Sequence, residues 1–407
     1  MNLVNDLGCN LSPLFFCLFI AEFGRYLNKS GLGINIGLLN ICCILFADDL
    51  VIFAKNKASL NKLMTMTRKF FNIHKLSISE TKSKIMTYNA STEEVSFSGE
   101  GLETLTLGEV MVFKYLGIHV SSASYALFKA FNENVIKKAH SYLNSMLSLV
   151  RSGPDRSQLA YLLWTSCALP SILYGTEIMP LCQETIHELE KYNSMVGKFM
   201  LQLPRSSANV TTYIDAGLRP IWSLVAEKAM LFNSKVMKKP HSNWARVAMD
   251  ESINEGISNP YIKYLLQWRM RTNCHSCDPK VIKRAVRVSS RKFILQEKKR
   301  TSTTSFALNT VDDSKPTWFK PKPWVNDSGC SKILSLFRAC NSGLGNRGPA
   351  KNGEFYKLCP LCQKVGIIAL NNEVKQIFVC TKSITLFLFF LFFIRTKFIR
   401  RIRLEIS

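Results

Sequence analysis

Acidic residues are in short supply. The chain sets 29 Asp and Glu against 53 Lys and Arg, a formal net charge of +24 over 407 residues. The shortage is local. Residues 1–120 hold 10 acidic against 11 basic side chains, and residues 121–260 hold 11 against 14. Residues 261–407 hold only 8 against 28. That final third asks for a polyanionic partner, nucleic acid ahead of an anionic membrane surface. A solvated basic tail is the competing reading. A long hydrophobic run is also missing. Residues 384–394 form an eleven-residue run with five Phe, followed by Arg395, Lys397, Arg400, Arg401 and Arg403. A spanning helix takes about 20 residues, so the run is an interfacial anchor at most, or a read-through tail. Membrane contact by residues 384–403 is not expected. A secretory leader is lacking too, because no basic segment precedes the apolar residues 14–20 and Glu22 follows at once. The 13 Cys do not form a secreted disulfide pattern. Cys17, Cys42, Cys43 and Cys167 sit inside apolar runs, where free Cys behaves as a small hydrophobe. A reducing, intracellular location follows, nucleus or cytoplasm.

What the chain does have is an acidic pair in an apolar frame. Residues 41–55 read Ile-Cys-Cys-Ile-Leu-Phe-Ala-Asp-Asp-Leu-Val-Ile-Phe-Ala-Lys. The two apolar runs are short and rich in Ile, Val and Phe, as strands are. They predict a β-hairpin with Asp48 and Asp49 at its tip. Adjacent carboxylates repel, so at neutral pH they favour a cation beside them. A two-metal polymerase site needs carboxylates on a rigid turn, clamping ions about 3.5–4 Å apart. A solvated turn is the plain alternative, since Asp favours turns.

Phe-Ala-Asp-Asp between two strand-like runs resembles the catalytic hairpin of reverse transcriptases from non-LTR (LINE-like) retrotransposons. Other segments extend the resemblance. Ser12 and Pro13 open a helical pattern as N-cap and first helical residue. With residues 8–28 they resemble the family's template- and nucleotide-contacting motif, although Leu7 stands where the family has Gln and Asn10 where it has Pro. Residues 60–75 predict an amphipathic helix. Residues 76–86 predict an alternating strand that looks like the next family motif, in which Lys82 would act as general acid toward the departing pyrophosphate. Residues 113–120 predict a strand pair broken at Gly117. That pair resembles the primer-grip hairpin, with Tyr115, Leu116 and Gly117 holding the primer end. Helical patterns at 157–174 and 185–200, then a stretch from 217 to 239, resemble the helical thumb and connection region.

The resemblance covers roughly residues 8–240 and implies an α+β fold. A partial polymerase palm of β-hairpins packed on helices (1–122) would be followed by a helical thumb/connection region (123–260). A poorly ordered basic C-terminal third would hold a basic arm and linker (261–330), a degenerate Cys-rich zinc-like module (331–380) and an apolar/basic tail (381–407). Asp48 and Asp49 would bind Mg²⁺, and the partners would be an RNA/DNA template-primer. The basic residues 263–300 would add salt-sensitive phosphate contacts without base specificity. Cys359, Cys362 and Cys380 have zinc spacing, and Zn²⁺ would need a fourth ligand. Lys375 occupies the position where the family has His, and an ammonium cannot ligate zinc. The family's palm also uses a third Asp on an earlier strand. Met1 lies seven residues before the Gly8–Pro13 segment, and Asp6 is the one acidic residue ahead of it. The expectation is a fragment of an RNA-directed DNA polymerase that begins within the palm and has little or no activity alone. A non-enzymatic basic nucleic-acid-binding protein and a membrane-associated protein are the alternatives.

Overall fold

The structure, a computed structural model, describes residues 12–88, 95–99, 102–123, 127–150 and 156–300. These residues form two compact units. The first holds the described residues up to Ala130 together with Val236–Asn259. The second holds Phe131–Lys235 and the described residues from Pro260 onward. The fold is α+β, as expected. Among the described residues the strands pair as four separate antiparallel hairpins rather than one sheet.

The first unit opens with helix α1 (Ser12–Asn28). Two hairpins follow: β1 (Ile34–Ile36) with β2 (Leu39–Ile41), and β3 (Cys43–Phe46) with β4 (Asp49–Ile52). Helix α2 (Lys57–Ile73) begins at Asn56, whose side chain accepts from the Ser59 amide at 2.8 Å. Asn is a favoured N-cap for this reason. Its buried residues Leu63, Met64, Thr67 and Phe70 recur at helical spacing. Of these, Leu63 and Phe70 meet Ile20, Phe23 and Leu27 of α1 and Cys42 and Cys43 of the hairpin region. The ring of Phe23 lies 5.1 Å from those of both Phe70 and Phe71. Hairpins β5 (Val95–Gly99) with β6 (Leu102–Leu107), and β7 (Val112–Tyr115) with β8 (Ile118–Ser121), complete the strands.

One expected strand does not form. Residues 76–86 run as turn and coil, with a single parallel bridge from Ile85 to Glu109. Only Ile78 and Ile85 of this run reach the core formed with Met64, Phe97, Leu105 and Leu107. The polar stretch between them gives a pleated face nothing to bury.

The second unit is helical: α3 (Lys129–Val150), α4 (Arg156–Leu162), α5 (Leu169–Ile172), α6 (Gln183–Met200), α7 (Val210–Ile214) and α8 (Ile221–Met237). Helix α9 (Trp244–Glu255) belongs to the first unit. A π-turn at Leu163–Ala168 joins α4 to α5 just before Pro170. Proline has no amide to donate, and such wider turns absorb the interruption. The basic stretch 263–300, expected as a basic helix or arm, is helical. It forms α10 (Pro260–Thr272) and α11 (Pro279–Arg300), each with a buried face. Trp268, Ile282 and Val286 are almost wholly inaccessible. Apolar residues spaced through the charges supply that face. The segments expected at 301–330, 331–380 and 381–407 lie outside the described residues.

Candidate active site

The acidic tip is built by anchoring its hairpin from below. The Asn28 side chain, at the end of α1, accepts from the Cys42 amide at 3.0 Å, and the Cys42 carbonyl accepts from Phe53 at 2.8 Å. Gly24 of α1 lies against Leu45 of β3, and a Cβ at Gly24 would stand 3.3 Å from the Leu45 side chain. Leu45, Leu50 and Ile52 pack on the α1–α2 core.

At the tip Phe46 pairs with Asp49, leaving Ala47 and Asp48 as a two-residue turn. Ala47 has φ 50°, in the left-handed region. For a residue with a Cβ this conformation costs roughly 1–2 kcal/mol. Such turns suit the right-handed twist of a hairpin. Asp48 therefore sits on the turn and Asp49 opens β4, and both side chains are exposed. Among the described residues neither forms an ion pair.

Tyr115 comes to the same place from another hairpin. It ends β7 and pairs with Ile118 across the turn Leu116–Gly117, whose φ values are 47° and 82°. Two successive positive φ angles define the tightest hairpin turn, and Gly117 takes one of them without strain. Burial pushes the Tyr115 phenol up from its ordinary pKa, and the nearby Asp49 carboxylate pushes it further. Its hydroxyl is buried and has no hydrogen-bond partner among the described residues. The sequence pattern identified both residues but gave no sign that they are neighbours.

The other expected site residues are more scattered. Helix α1 starts at Ser12 with Pro13 in its first turn. Lys82 lies exposed in a turn, not on a strand end, and among the described residues it pairs with neither Asp48 nor Asp49. Lys84 sits near Gly108. Cys359, Cys362 and Cys380 lie outside the described residues. Cys274 is buried while His275 and Cys277 are exposed. Among the described residues, no three His, Cys, Asp or Glu side chains are gathered to hold a metal ion. Asp48 and Asp49 offer hard oxygen donors, the class that Mg²⁺ takes while keeping several waters. They fit such an ion chemically, as part of its coordination shell.

The second unit contains a polar cluster that sequence reasoning missed. Glu190 of α6 is half-buried, with its carboxylate turned inward. Its carboxylate accepts from the Tyr213 hydroxyl and, at 2.7 Å, from the Ile221 amide that opens α8. Burial pushes Glu190 up to about 7, against the lowering effects of Tyr213, Ile221, Arg271 and Asn193. Asn193 accepts from the Trp164 indole at 2.9 Å and donates to the Arg219 carbonyl at 3.1 Å. The Arg271 guanidinium lies 4.0 Å above the Trp222 ring centre. A signal was available: Glu190 shares a helical face with Ile186, Asn193 and Gly197, all buried.

The candidate site residues from Ser12 to Gly117 lie within one matched segment. No solved structure matches this chain. Residues 2–120 match the family model described as reverse transcriptase (RNA-dependent DNA polymerase), so the front of the chain is similar to that family.

Proposed function

We propose that the chain derives from the RNA-directed DNA polymerase of a non-LTR (LINE-like) retrotransposon, with palm residues at 1–122 and a thumb/connection region at 123–260. The observation that carries this reading is the exposed Asp48–Asp49 pair on a strained hairpin turn, with Tyr115 beside Asp49. Enzymes of the matched family generally use Mg²⁺. Asp48 and Asp49 would hold the ion, and when bound it would polarise the attacking hydroxyl and neutralise triphosphate charge. Tyr115, Leu116 and Gly117 would position the primer end. Ser12 and Pro13 would set the helix start beside the template strand. Lys82 would protonate the leaving pyrophosphate, which requires the exposed turn that carries it to approach the triphosphate.

The same reading gives the chain little synthesis by itself. Two carboxylates from neighbouring residues supply only part of a two-metal shell, and among the described residues no third ligand joins them. Primer extension with Mg²⁺, an RNA template and the full chain tests both halves. Background incorporation is expected. Strong template-dependent extension that Asp49→Asn abolishes would overturn the inactivity and support the catalytic assignment. A non-enzymatic nucleic-acid-binding role is the second reading, favoured by the exposed cations of α11. Membrane contact is not proposed, and no described helix is long and apolar enough to cross a bilayer.

A further inference from the structure

Helix α11 is badly arranged for an isolated helix. Nine of its 22 residues are Lys or Arg, and Glu297 is its single acid, paired with Arg300 at 2.9 Å. A basic helix that is only solvated usually interleaves acids at i+3 or i+4, because like charges at that spacing repel. Its first turn contains no acidic residue and carries Lys280, although the carboxylate of Asp278, just ahead of the helix, accepts from the Lys280 amide at 2.9 Å. The positive end of the helix dipole disfavours a cation there. The fold nevertheless keeps the helix in place through the buried face formed by Ile282, Val286, Ser290 and Ile294.

The cations are sorted as well as numerous. At 3.6 residues per turn, Lys280, Arg284, Arg287 and Arg291 fall on one side, flanking the buried face. All four are exposed. They span about 16 Å of helix at a rise of about 1.5 Å per residue. That length passes about five phosphates of one strand at the rise of about 3.4 Å that B-form DNA shows. We propose that this side of α11 is a phosphate track, which grips the backbone of a nucleic-acid strand by charge and without reading bases. The proposal rests on the nucleic-acid reading above for the class of its occupant. It is independent of the polymerase chemistry. The fit is charge complementarity: a polyanion relieves the mutual repulsion along the stripe.

The test uses the full chain and a fluorescein-labelled RNA of about 20 nucleotides, with anisotropy read across a salt series. Each neutralised phosphate contributes roughly 0.7 to the slope of log affinity against log salt for a single strand. The triple variant Lys280→Gln, Arg284→Gln, Arg287→Gln should lower the magnitude of that slope by about 2 and weaken binding to RNAs of different sequence alike. Charge-conserving Arg284→Lys, Arg287→Lys should retain the slope. An unchanged slope in a triple variant with wild-type circular dichroism overturns the track. If the triple variant does not fold, Arg284→Gln alone must lower the slope by about 0.7, and no change there also overturns it. Binding of the unmodified chain to phosphatidylserine vesicles but not to RNA would overturn the choice of occupant. A slope that does not change in the triple variant, while the full chain still binds RNA, overturns the track and leaves the nucleic-acid reading standing.

Discussion

At Gly33 the missing side chain is a packing requirement. A Cβ there would lie 2.1 Å from the Ile41 carbonyl oxygen and 2.6 Å from the Cys42 nitrogen. Both contacts are with backbone, which cannot swing aside as a side chain would. Gly33→Ala is expected to destabilise the first unit by about 3 kcal/mol, at the upper end of overpacking costs, and urea unfolding would measure it. Tyr115 gives the opposite expectation. Its hydroxyl is buried without a partner among the described residues. Tyr115→Phe removes that unmet group and should stabilise the unit by about 1 kcal/mol. If the hydroxyl serves a primer, the same variant should bind primer less well while melting later. Asp49→Asn removes a charge that disfavours the phenolate. The Tyr115 pKa should fall toward its ordinary value but stay raised by burial, as an ultraviolet titration would record.

Between helices, the Glu190 cluster and Gly197 define how α6 meets its neighbours. A Cβ at Gly197 would stand 2.5 Å from Cβ of Thr212 in α7. Gly197→Ala should force the two helices apart and cost about 3 kcal/mol. Glu190 makes the second unit pH-sensitive. Its folded pKa of about 7 lies above the ordinary 4.5. A raised carboxyl pKa contributes stability that is fully present below the unfolded value and is lost as pH rises through the folded one. Stability should therefore decline between about pH 4.5 and 7, by an amount on the order of 3 kcal/mol. Glu190→Gln should flatten that dependence. The sequence showed α6 well from its apolar spacing. It did not show the π-turn, because periodicity registers which residues are apolar and not one extra residue in a turn. Residues 76–86 failed as a strand for a related reason: alternation at Leu76 and Ile78 was not sustained through Lys82 and Lys84.

Across the whole molecule, two units with separate cores predict more than one unfolding transition. Gly33→Ala and Gly197→Ala should each move a different transition in a urea titration, and coincident shifts would refute that. Charge is also divided. The acidic pair lies in a nearly neutral front, and the phosphate-seeking cations lie on α11. The hairpin that presents Asp48 and Asp49 was legible in sequence because two apolar runs with an acidic interruption constrain the chain locally. The neighbourhood of Tyr115 and Asp49 was not, since it depends on how two hairpins more than sixty residues apart fold together. The basic stretch was legible as charge but not as packed helix. The cations dominated the reading, while Trp268, Ile282 and Val286 determine the packing.

The left-handed alanine at the hairpin tip has a thermodynamic consequence. Glycine at position 47 would relax the turn, yet it would also let the tip wander over many conformations. A methyl group there narrows the tip to one geometry during folding. An arriving cation then finds oxygen donors whose ordering entropy has already been spent. Ala47→Gly should accordingly leave melting almost unchanged while weakening Mg²⁺ affinity, and calorimetric titration would show the loss as a less favourable binding entropy.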